Sequence, residues 1–330
     1  MTQQTDPLPE RCYCSVVSKE NGEDPIGSIA HCNHYLIVEV PTPWPRDVTN
    51  LKRIPTELIA LLQALILEQG LKIRPLIIVP DEEYSVSDKV RVFHYYRPEN
   101  AFSIYQKEEF LVSEAELFPL VQTIFSRPAE LPRFAAYQQH TSHIRELFVC
   151  THGSVDAACA VFGYPMYRKL RDEYADPSGG TLRAWRVSHF GGHRFAPTLI
   201  DLPEGRFWGH LETDQLDTLI HRTDSVESLR LCYRGWTGLE SRYEHVAERD
   251  MLMQEGWDWM QYAKHGQLLE VDTETEQWGR IRIDFTTPNG RSGAYEAMVE
   301  RSGTVQTLGE SGPCELREEP QYRVNWLRRV

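Results

Sequence analysis

Hydrophobic and polar positions follow two alternating patterns from Tyr35 onward. Short apolar runs predict strands, and runs with apolar residues three and four positions apart predict helices. The predicted order is strand, helix, three strands and helix, given by YLIVEVP, TELIALLQALILEQG, RPLIIVP, VRVFHYY, FSIYQ and SEAELFPLVQTIF. Thr56 is placed to cap the first helix and Gly70 to end it, while Ser113 and Glu116 form a capping-box pattern for the second.

The same order recurs after the connecting stretch SRPAELPRFAAYQQ. The recurring segments are the strand ELFVC, the helix PMYRKLRDEY with Pro165 at its start, the strand LRAWRVS, the hairpin TLIDLP and RFWGHL, and the helix DQLDTLIHR. Strand, helix, strand, hairpin and helix is an order compatible with a thioredoxin-like unit. The sequence therefore predicts an α/β protein with two thioredoxin-like halves, residues 1–135 and 136–230.

Residues 231–330 show a different pattern and predict an appended α+β extension. The segment YRGWTGLESRYEHVAERDMLMQEGWDWMQYA predicts an amphipathic helix, and WGRIRIDFTT and GAYEAMVE around a Pro-Asn-Gly turn predict a hairpin. Trp257 and Trp259 lie in this predicted helix and are expected to pack in the core or between domains.

Composition and charge narrow the range of partners. The 330 residues carry a formal net charge of -13, which disfavours binding to a nucleic-acid backbone and favours a protein partner with a basic docking face. The apolar runs are too short to cross a bilayer, and the first residues lack a signal-peptide pattern, so no membrane association is expected. The seven cysteines do not indicate a disulfide framework, and we expect a reduced, cytoplasmic setting.

Two cysteines and two histidines are the main candidate metal ligands in the sequence. Cys150 and Cys159 bound the string CTHGSVDAAC, and His189 and His193 bound HFGGH about thirty residues later. In a strand-helix-strand unit, both segments can emerge at the same end of neighbouring strands. The sequence therefore predicts a metal site built from two thiolates and two imidazoles.

Spacing and backbone preferences refine this prediction. The paired Gly191 and Gly192 favour a loop over a helix for the two histidines. Structural zinc usually takes cysteines separated by two to four residues, whereas eight residues separate Cys150 from Cys159. This wide spacing favours an iron-sulfur cluster over zinc, and zinc on the same ligands stays open as the alternative.

The chain resembles the sucrase/ferredoxin-like family in three strings within residues 12–225. These are CTHGSVDAAC, HFGGHRFAPTLIDLPEGRFWG and CSVVSKENGEDPIGSIAHCNHYLIVEVPTPWP. The resemblance implies a thioredoxin-like ferredoxin domain with a 2Fe-2S cluster bound by Cys150, Cys159, His189 and His193. No carboxylate pair indicates glycoside hydrolysis, so we do not expect the sugar-cleaving activity in the family's name.

The expected function is one-electron transfer or redox sensing, with no bond-making reaction implied. The expected partner is a redox protein such as a reductase containing a flavin or an iron-sulfur cluster. Two neutral imidazoles in place of two thiolates make a cluster less negative, which raises its reduction potential. The alternatives are a structural zinc protein and, in third place because CxxC is absent, a thiol-disulfide oxidoreductase.

The remaining polar residues near these motifs are expected to have ordinary roles. We expect Asp156 to cap the turn before Cys159 and His152 to face solvent or support a ligand. The N-terminal cluster could form a second metal site, but its irregular spacing favours buried or surface thiols. That cluster comprises Cys12, Cys14, His31, Cys32 and His34, and two further cysteines, Cys232 and Cys314, are expected in the interior.

Overall fold

The computed structural model describes residues 12–312 and 315–330 and shows an α/β protein with two sheets. The helices are α1 (Cys14–Glu20), α2 (Thr56–Gln63), α3 (Glu114–Ser126), α4 (Ala157–Lys169), α5 (Leu216–His221) and α6 (Arg242–Glu255). The strands of the first sheet are β1 (His34–Glu39), β2 (Ile73–Ile78), β3 (Val90–Tyr96), β4 (Gln106–Val112), β5 (Gln138–Gln139), β6 (Arg145–Cys150), β7 (Leu182–Val187), β8 (Leu199–Leu202), β9 (Arg206–Trp208) and β10 (Tyr233–Trp236). The strands of the second are β11 (Ala263–Val271), β12 (Trp278–Thr286), β13 (Ser292–Leu308) and β14 (Leu316–Arg329). Among the described residues, no helix combines the length and the apolar character needed to cross a membrane.

The order of elements predicted to recur is present in the first sheet, which contains two copies of one strand arrangement. In the first copy, β1 pairs in parallel with β2 and antiparallel with β3, which pairs with β4. In the second copy, β6 pairs in parallel with β7 and antiparallel with β8, which pairs with β9. The copies join where β2 meets β7, with Ile78 opposite Val187. The complete order is β10-β9-β8-β6-β7-β2-β1-β3-β4-β5.

Several predicted boundaries are wrong, and tertiary contacts explain two of them. The strand predicted at FSIYQ begins only at Gln106, because the buried Phe102 forms an isolated bridge with Lys264. The segment YRGW, predicted as helix, is strand β10 on the sheet edge next to β9. Pro165 lies inside α4, which begins eight residues earlier at Ala157. Strands β11 and β14 were not predicted.

The helix caps also differ from the predicted ones. Ser113 is the N-cap of α3, but its side chain makes no capping hydrogen bond. Pro55 is the N-cap of α2, which leaves Thr56 as the first helical residue. Gly70 follows a π-helical continuation of α2 and has a φ of 70°, consistent with its predicted role in ending the helix.

The C-terminal region packs helix α6 against the second sheet, with Trp259 fully buried between them. Trp257 is only partly buried. The first two predicted regions share one continuous sheet, and β10 of the third region extends it. Whether residues 1–135, 136–230 and 231–330 fold as separate domains stays a prediction.

A buried ionic network links the two copies across the first sheet. Glu146 on β6 accepts hydrogen bonds from Lys107 Nζ at 2.6 Å and Trp185 Nε1 at 2.7 Å, and from Arg183 on β7. Arg183 also donates to Glu109 on β4 at 2.6 Å. Glu109 and Glu146 are almost completely buried. Their charges are tolerated in the interior because each carboxylate is paired and hydrogen-bonded.

We therefore expect Glu146→Gln to lower the free energy of unfolding by about 3–5 kcal/mol, because it leaves Glu109 as the one remaining carboxylate partner of the buried Lys107 and Arg183. Urea denaturation followed by circular dichroism measures this loss. Glu300→Gln is the matched control, since its partner Arg323 is exposed, and it should cost no more than about 1 kcal/mol. Equal losses in the two variants would contradict a structural role for the network.

Candidate functional site

The site lies where the parallel strands β6 and β7 end side by side. Cys150 is the last residue of β6 and pairs with Val187, the last residue of β7. His189 follows Val187 by two residues, so the parallel register brings its imidazole to the Cys150 thiol. Both segments therefore emerge at the same end of neighbouring strands, as predicted.

Cys159 reaches the same point from helix α4. The sequence predicted a loop that ends at Cys159, but Cys159 lies in the first turn of α4. Asp156 is the N-cap of this helix and accepts from the Ala158 N–H at 2.8 Å, which confirms its predicted capping role. Gly163 allows α4 to lie against β6, because a Cβ there would be 2.0 Å from the Cys150 carbonyl oxygen.

Three of the four predicted ligands converge on one point. The Nδ1 atom of His189 is 3.8 Å from Cys150 Sγ and 3.7 Å from Cys159 Sγ. Ligand atoms bound to one tetrahedral metal ion at about 2.0–2.3 Å are separated from one another by about 3.3–3.8 Å. The three side chains therefore form a group that could hold a metal.

His193, the fourth predicted ligand, belongs to a neighbouring group. Its ring is 5.4 Å from that of His189, centroid to centroid. Its Nδ1 atom lies 3.4 Å from Cys14 Sγ and 3.2 Å from Asp156 Oδ2. Cys14, Asp156 and His193 form a second group with metal-ligand spacing. The structure thus places the four predicted residues side by side but gives His193 different contacts from the other three.

The loop that carries the two histidines is held from both sides by arginines. Gly191 and Gly192 have φ values of 96° and 79°, which excludes the helix and agrees with the predicted loop. Arg74 Nη1 donates to the Phe190 carbonyl at 2.9 Å, and Arg234 Nη1 donates to the Gly191 carbonyl at 3.1 Å. These backbone contacts fix the loop without involving the imidazoles.

His152 supports the same loop from the β6 side. It is buried, which excludes the predicted solvent-facing role, and burial lowers the pKa of its imidazole. Its Nδ1 atom accepts from the His189 N–H at 3.3 Å, so its proton lies on Nε2, which donates to the Pro45 carbonyl at 2.9 Å. His152 is therefore a supporting residue for His189, the other of the two predicted roles.

The pKa values of the two thiols are shifted in opposite directions. Burial opposes ionisation of Cys150, but hydrogen bonds from Cys159 and His189 outweigh it and lower the pKa of its thiol well below the usual value. The hydrogen bond to Cys150, together with burial, raises the pKa of Cys159. A metal binds cysteine as thiolate, so binding a cation at this pair would require both sulfurs to lose their protons.

Arg234 carries a buried positive charge next to the loop that holds the two histidines. Its side chain is fully buried, and no ion-pair partner for it occurs within residues 12–312 and 315–330. It donates to Ser28 Oγ and to the Ser28 carbonyl, both at 3.0 Å. Burial and the nearby Arg194 and Arg74 lower the pKa of its guanidinium to about 9, while Cys150 and Cys159 raise it. The site thiols are thus nearby groups that stabilise this charge.

Sequence reasoning missed Arg234 and the position of Cys14. Arg234 lies in YRGW, which carried no motif and was predicted as helix. Cys14 was considered only within an N-terminal cluster, and the structure separates that cluster. Cys32 donates to the His34 carbonyl at 2.9 Å, and the His34 ring stacks on His94.

Among the cysteines that the structure describes, Cys12, Cys32 and Cys232 do not belong to either group with metal-ligand spacing. Cys12 is disulfide-bonded, which departs from the expectation of reduced thiols. Cys232 is buried as predicted, and Cys314 lies outside the described residues. Within the described part of the chain, neither Cys32 nor His34 belongs to a group of three or more possible metal ligands, so no second site forms from the N-terminal cluster as a whole.

Comparison with known proteins gives one match. The family model described as sucrase/ferredoxin-like matches residues 25–235, which include both copies of the strand arrangement and most of the site. No curated protein and no solved structure gives a significant match to the chain.

The loop geometry predicts different effects for alanine at its two glycines. A Cβ on Gly192 would lie 2.2 Å from Arg234 Nη2, whereas a Cβ on Gly191 would meet no atom within 4 Å. Gly192→Ala should therefore displace the loop and weaken metal binding by about 10-fold or more. Gly191→Ala strains the backbone alone and should have a smaller effect. Anaerobic titration of the metal-free protein with Co²⁺ measures both, and equal affinities would contradict the importance of the Arg234 contact.

Proposed function

The chain belongs to the sucrase/ferredoxin-like family, and from this membership and the site geometry we propose that it is an electron-transfer or redox-sensing protein with a 2Fe-2S cluster. The proposed ligands are Cys150, Cys159, His189 and His193. The observation that carries the proposal is the convergence of two buried thiols and one imidazole at the ends of β6 and β7, with a second imidazole beside them.

The donor chemistry fits such a cluster. Thiolates suit iron-sulfur clusters and imidazole suits iron, and the buried Cys150 and Cys159 exclude water from one side of the site. With two thiolates and two neutral imidazoles the oxidised cluster carries no net charge, and the reduced cluster carries one negative charge. The Arg234 guanidinium has no acidic partner among the described residues, and it supports the proposal because such a buried cation favours an added electron nearby.

Residues around the proposed cluster would orient its ligands and leave one side open to a partner protein. Arg74 and Arg234 hold the loop carbonyls, and His152 fixes the His189 backbone. The His193 side chain is 23 % exposed while both cysteines are buried, so a partner would approach from the histidine side. When bound, the cluster accepts and donates single electrons.

The proposed partner is a flavin- or iron-sulfur-containing reductase with a basic docking face, which complements the net charge of -13. The cytoplasm is the proposed compartment. No separate catalytic activity is proposed for the chain itself.

Zinc binding is the second candidate function, and the distances from His189 to the two cysteines favour it. His189 Nδ1 is close to both sulfur atoms at once, as in a mononuclear tetrahedral site. A 2Fe-2S cluster takes two protein ligands per iron, so His189 and His193 would have to turn together toward the second iron. A thiol-disulfide oxidoreductase ranks third, because both thiols are buried from a substrate disulfide.

The protein purified without oxygen should contain about two iron and two acid-labile sulfide atoms per chain and absorb visible light. His189→Ala should lose most of both, because it removes a proposed ligand. His221→Ala, which changes an exposed histidine on α5, is the control and should keep both. A colourless wild-type protein with one zinc per chain would instead support the second candidate.

Arg234 should raise the reduction potential of the bound cluster. Arg234→Gln should lower the midpoint potential in a dye-mediated redox titration, because it removes a positive charge that favours the reduced state. Arg234→Lys keeps the charge but changes the hydrogen bonds to Gly191 and Ser28, so its potential should stay closer to that of the wild type. A potential that falls equally in both variants would assign the effect to loop position rather than to charge.

A further inference from the structure

Cys14 is a buried thiol in contact with the site that the proposed function does not use. It is the first residue of α1, is completely buried and is not disulfide-bonded. Helix α1 packs against the short helical turn at His193–Phe195, which carries His193. This packing brings Cys14 Sγ to within 3.4 Å of His193 Nδ1.

The surroundings of Cys14 are ordered by hydrogen bonds from three parts of the chain. Ser311 Oγ donates to Asp156 Oδ1 at 2.6 Å and lies 3.3 Å from Cys14 Sγ. The Ser311 N–H donates to Asp156 Oδ2 at 2.8 Å, and the Cys14 N–H donates to Ser311 Oγ at 3.2 Å. Asp156 in turn lies 3.2 Å from His193 Nδ1. Thiol, carboxylate and imidazole are therefore held together by a defined network.

The group of Cys150, Cys159 and His189 needs one more ligand to complete a four-ligand set. The neighbouring group contributes three donors, and two of them, His193 and Cys14, contact each other, while the third, Asp156, caps α4. Cys14 Sγ lies 3.4 Å from His193 Nδ1, and the His193 ring lies 5.4 Å, centroid to centroid, from the ring of His189, a member of the group. His193 and Cys14 are therefore the two neighbouring nitrogen and sulfur donors from which a fourth ligand could come.

We propose that Cys14 is an alternative ligand of the metal centre, which takes the position of His193 when that imidazole pairs with Asp156. This inference rests on the proposed function and adds an exchange between two ligand sets. In the exchange, the bond from the metal to the His193 nitrogen breaks and a bond to the Cys14 sulfur forms. The thiol proton of Cys14 passes to the His193 imidazole, whose positive charge then faces the Asp156 carboxylate. No electron is gained or lost.

The two ligand sets differ in charge. A third thiolate in place of a neutral imidazole makes the centre one unit more negative and lowers its reduction potential. The centre would therefore have a higher-potential form with His193 bound and a lower-potential form with Cys14 bound. A partner or condition that moves α1 away from His193 would favour the first form.

Three variants test the exchange by iron content and by the electron paramagnetic resonance spectrum of the reduced protein. His193→Ala should keep most of its iron, with shifted g-values and a lower midpoint potential, because Cys14 replaces the missing ligand. The double variant with His193→Ala and Cys14→Ser should lose at least 10-fold more iron. His193→Ala combined with Cys232→Ser is the matched control for loss of a buried thiol and should resemble His193→Ala alone. The proposal is overturned if His193→Ala loses as much iron as the double variant, or if the double variant keeps as much as His193→Ala.

A second measurement separates this proposal from the proposed function. Co²⁺ added to the metal-free proteins reports the number of bound thiolates through its sulfur-to-metal charge-transfer absorption. This absorption should be stronger in His193→Ala than in the double variant, whether or not the native metal is iron. Equal absorption would overturn the role of Cys14, whereas a wild-type protein without iron would overturn only the proposed cluster.

Discussion

The parallel pairing of β6 with β7 is the constraint on which the site depends. Because both strands run in the same direction, their carboxyl ends meet at one edge, and the residues that follow each strand are forced together. Cys150 ends one strand, and His189 follows the other by two residues. Helix α4, the crossover between the two strands, delivers Cys159 to the same edge. Three donors separated by up to 39 positions thus converge through the topology of one strand-helix-strand unit.

Buried charged side chains occur both in the ionic network that joins the two strand arrangements and next to the site. The network around Glu109 and Glu146 is internally paired and joins the two strand arrangements. Arg234, by contrast, is fully buried with no acidic partner in the described part of the chain, and it lies behind the thiols. Buried charges in proteins are usually paired or bound to ligands. Arg234 therefore lies outside the paired network, and the proposed function gives its charge a role beside the thiols.

Much of the fold could be predicted because its signals are local. Apolar runs located β1, β2, β3, β6 and β7, and turn residues located the β8-β9 hairpin. The element order then predicted the repeated α/β unit and the meeting of CTHGSVDAAC with HFGGH. The errors concern segments whose structure depends on distant partners. YRGW becomes a strand by pairing with β9, and Phe102 is held by a bridge to Lys264. The local sequence of neither segment reveals its partner.

The same distinction applies to the site. The spacing of Cys150, Cys159 and His189 and the two glycines was visible in the sequence, and the structure brings these three donors together. The contacts of His193 with Cys14 and Asp156 were not visible, because Cys14 lies 179 positions away along the chain. Arg234 reaches the loop from an edge strand by a contact that spans 43 positions. Such supporting residues are determined by packing and carry no motif of their own.

Pulsed electron paramagnetic resonance of the dithionite-reduced protein, prepared with ¹⁵N-labelled histidine, tests the central claim most directly. The account predicts an S = 1/2 signal from a reduced 2Fe-2S cluster with magnetic couplings to histidine nitrogen. A protein that is silent after reduction and binds zinc, or a cluster signal without histidine coupling, would contradict it.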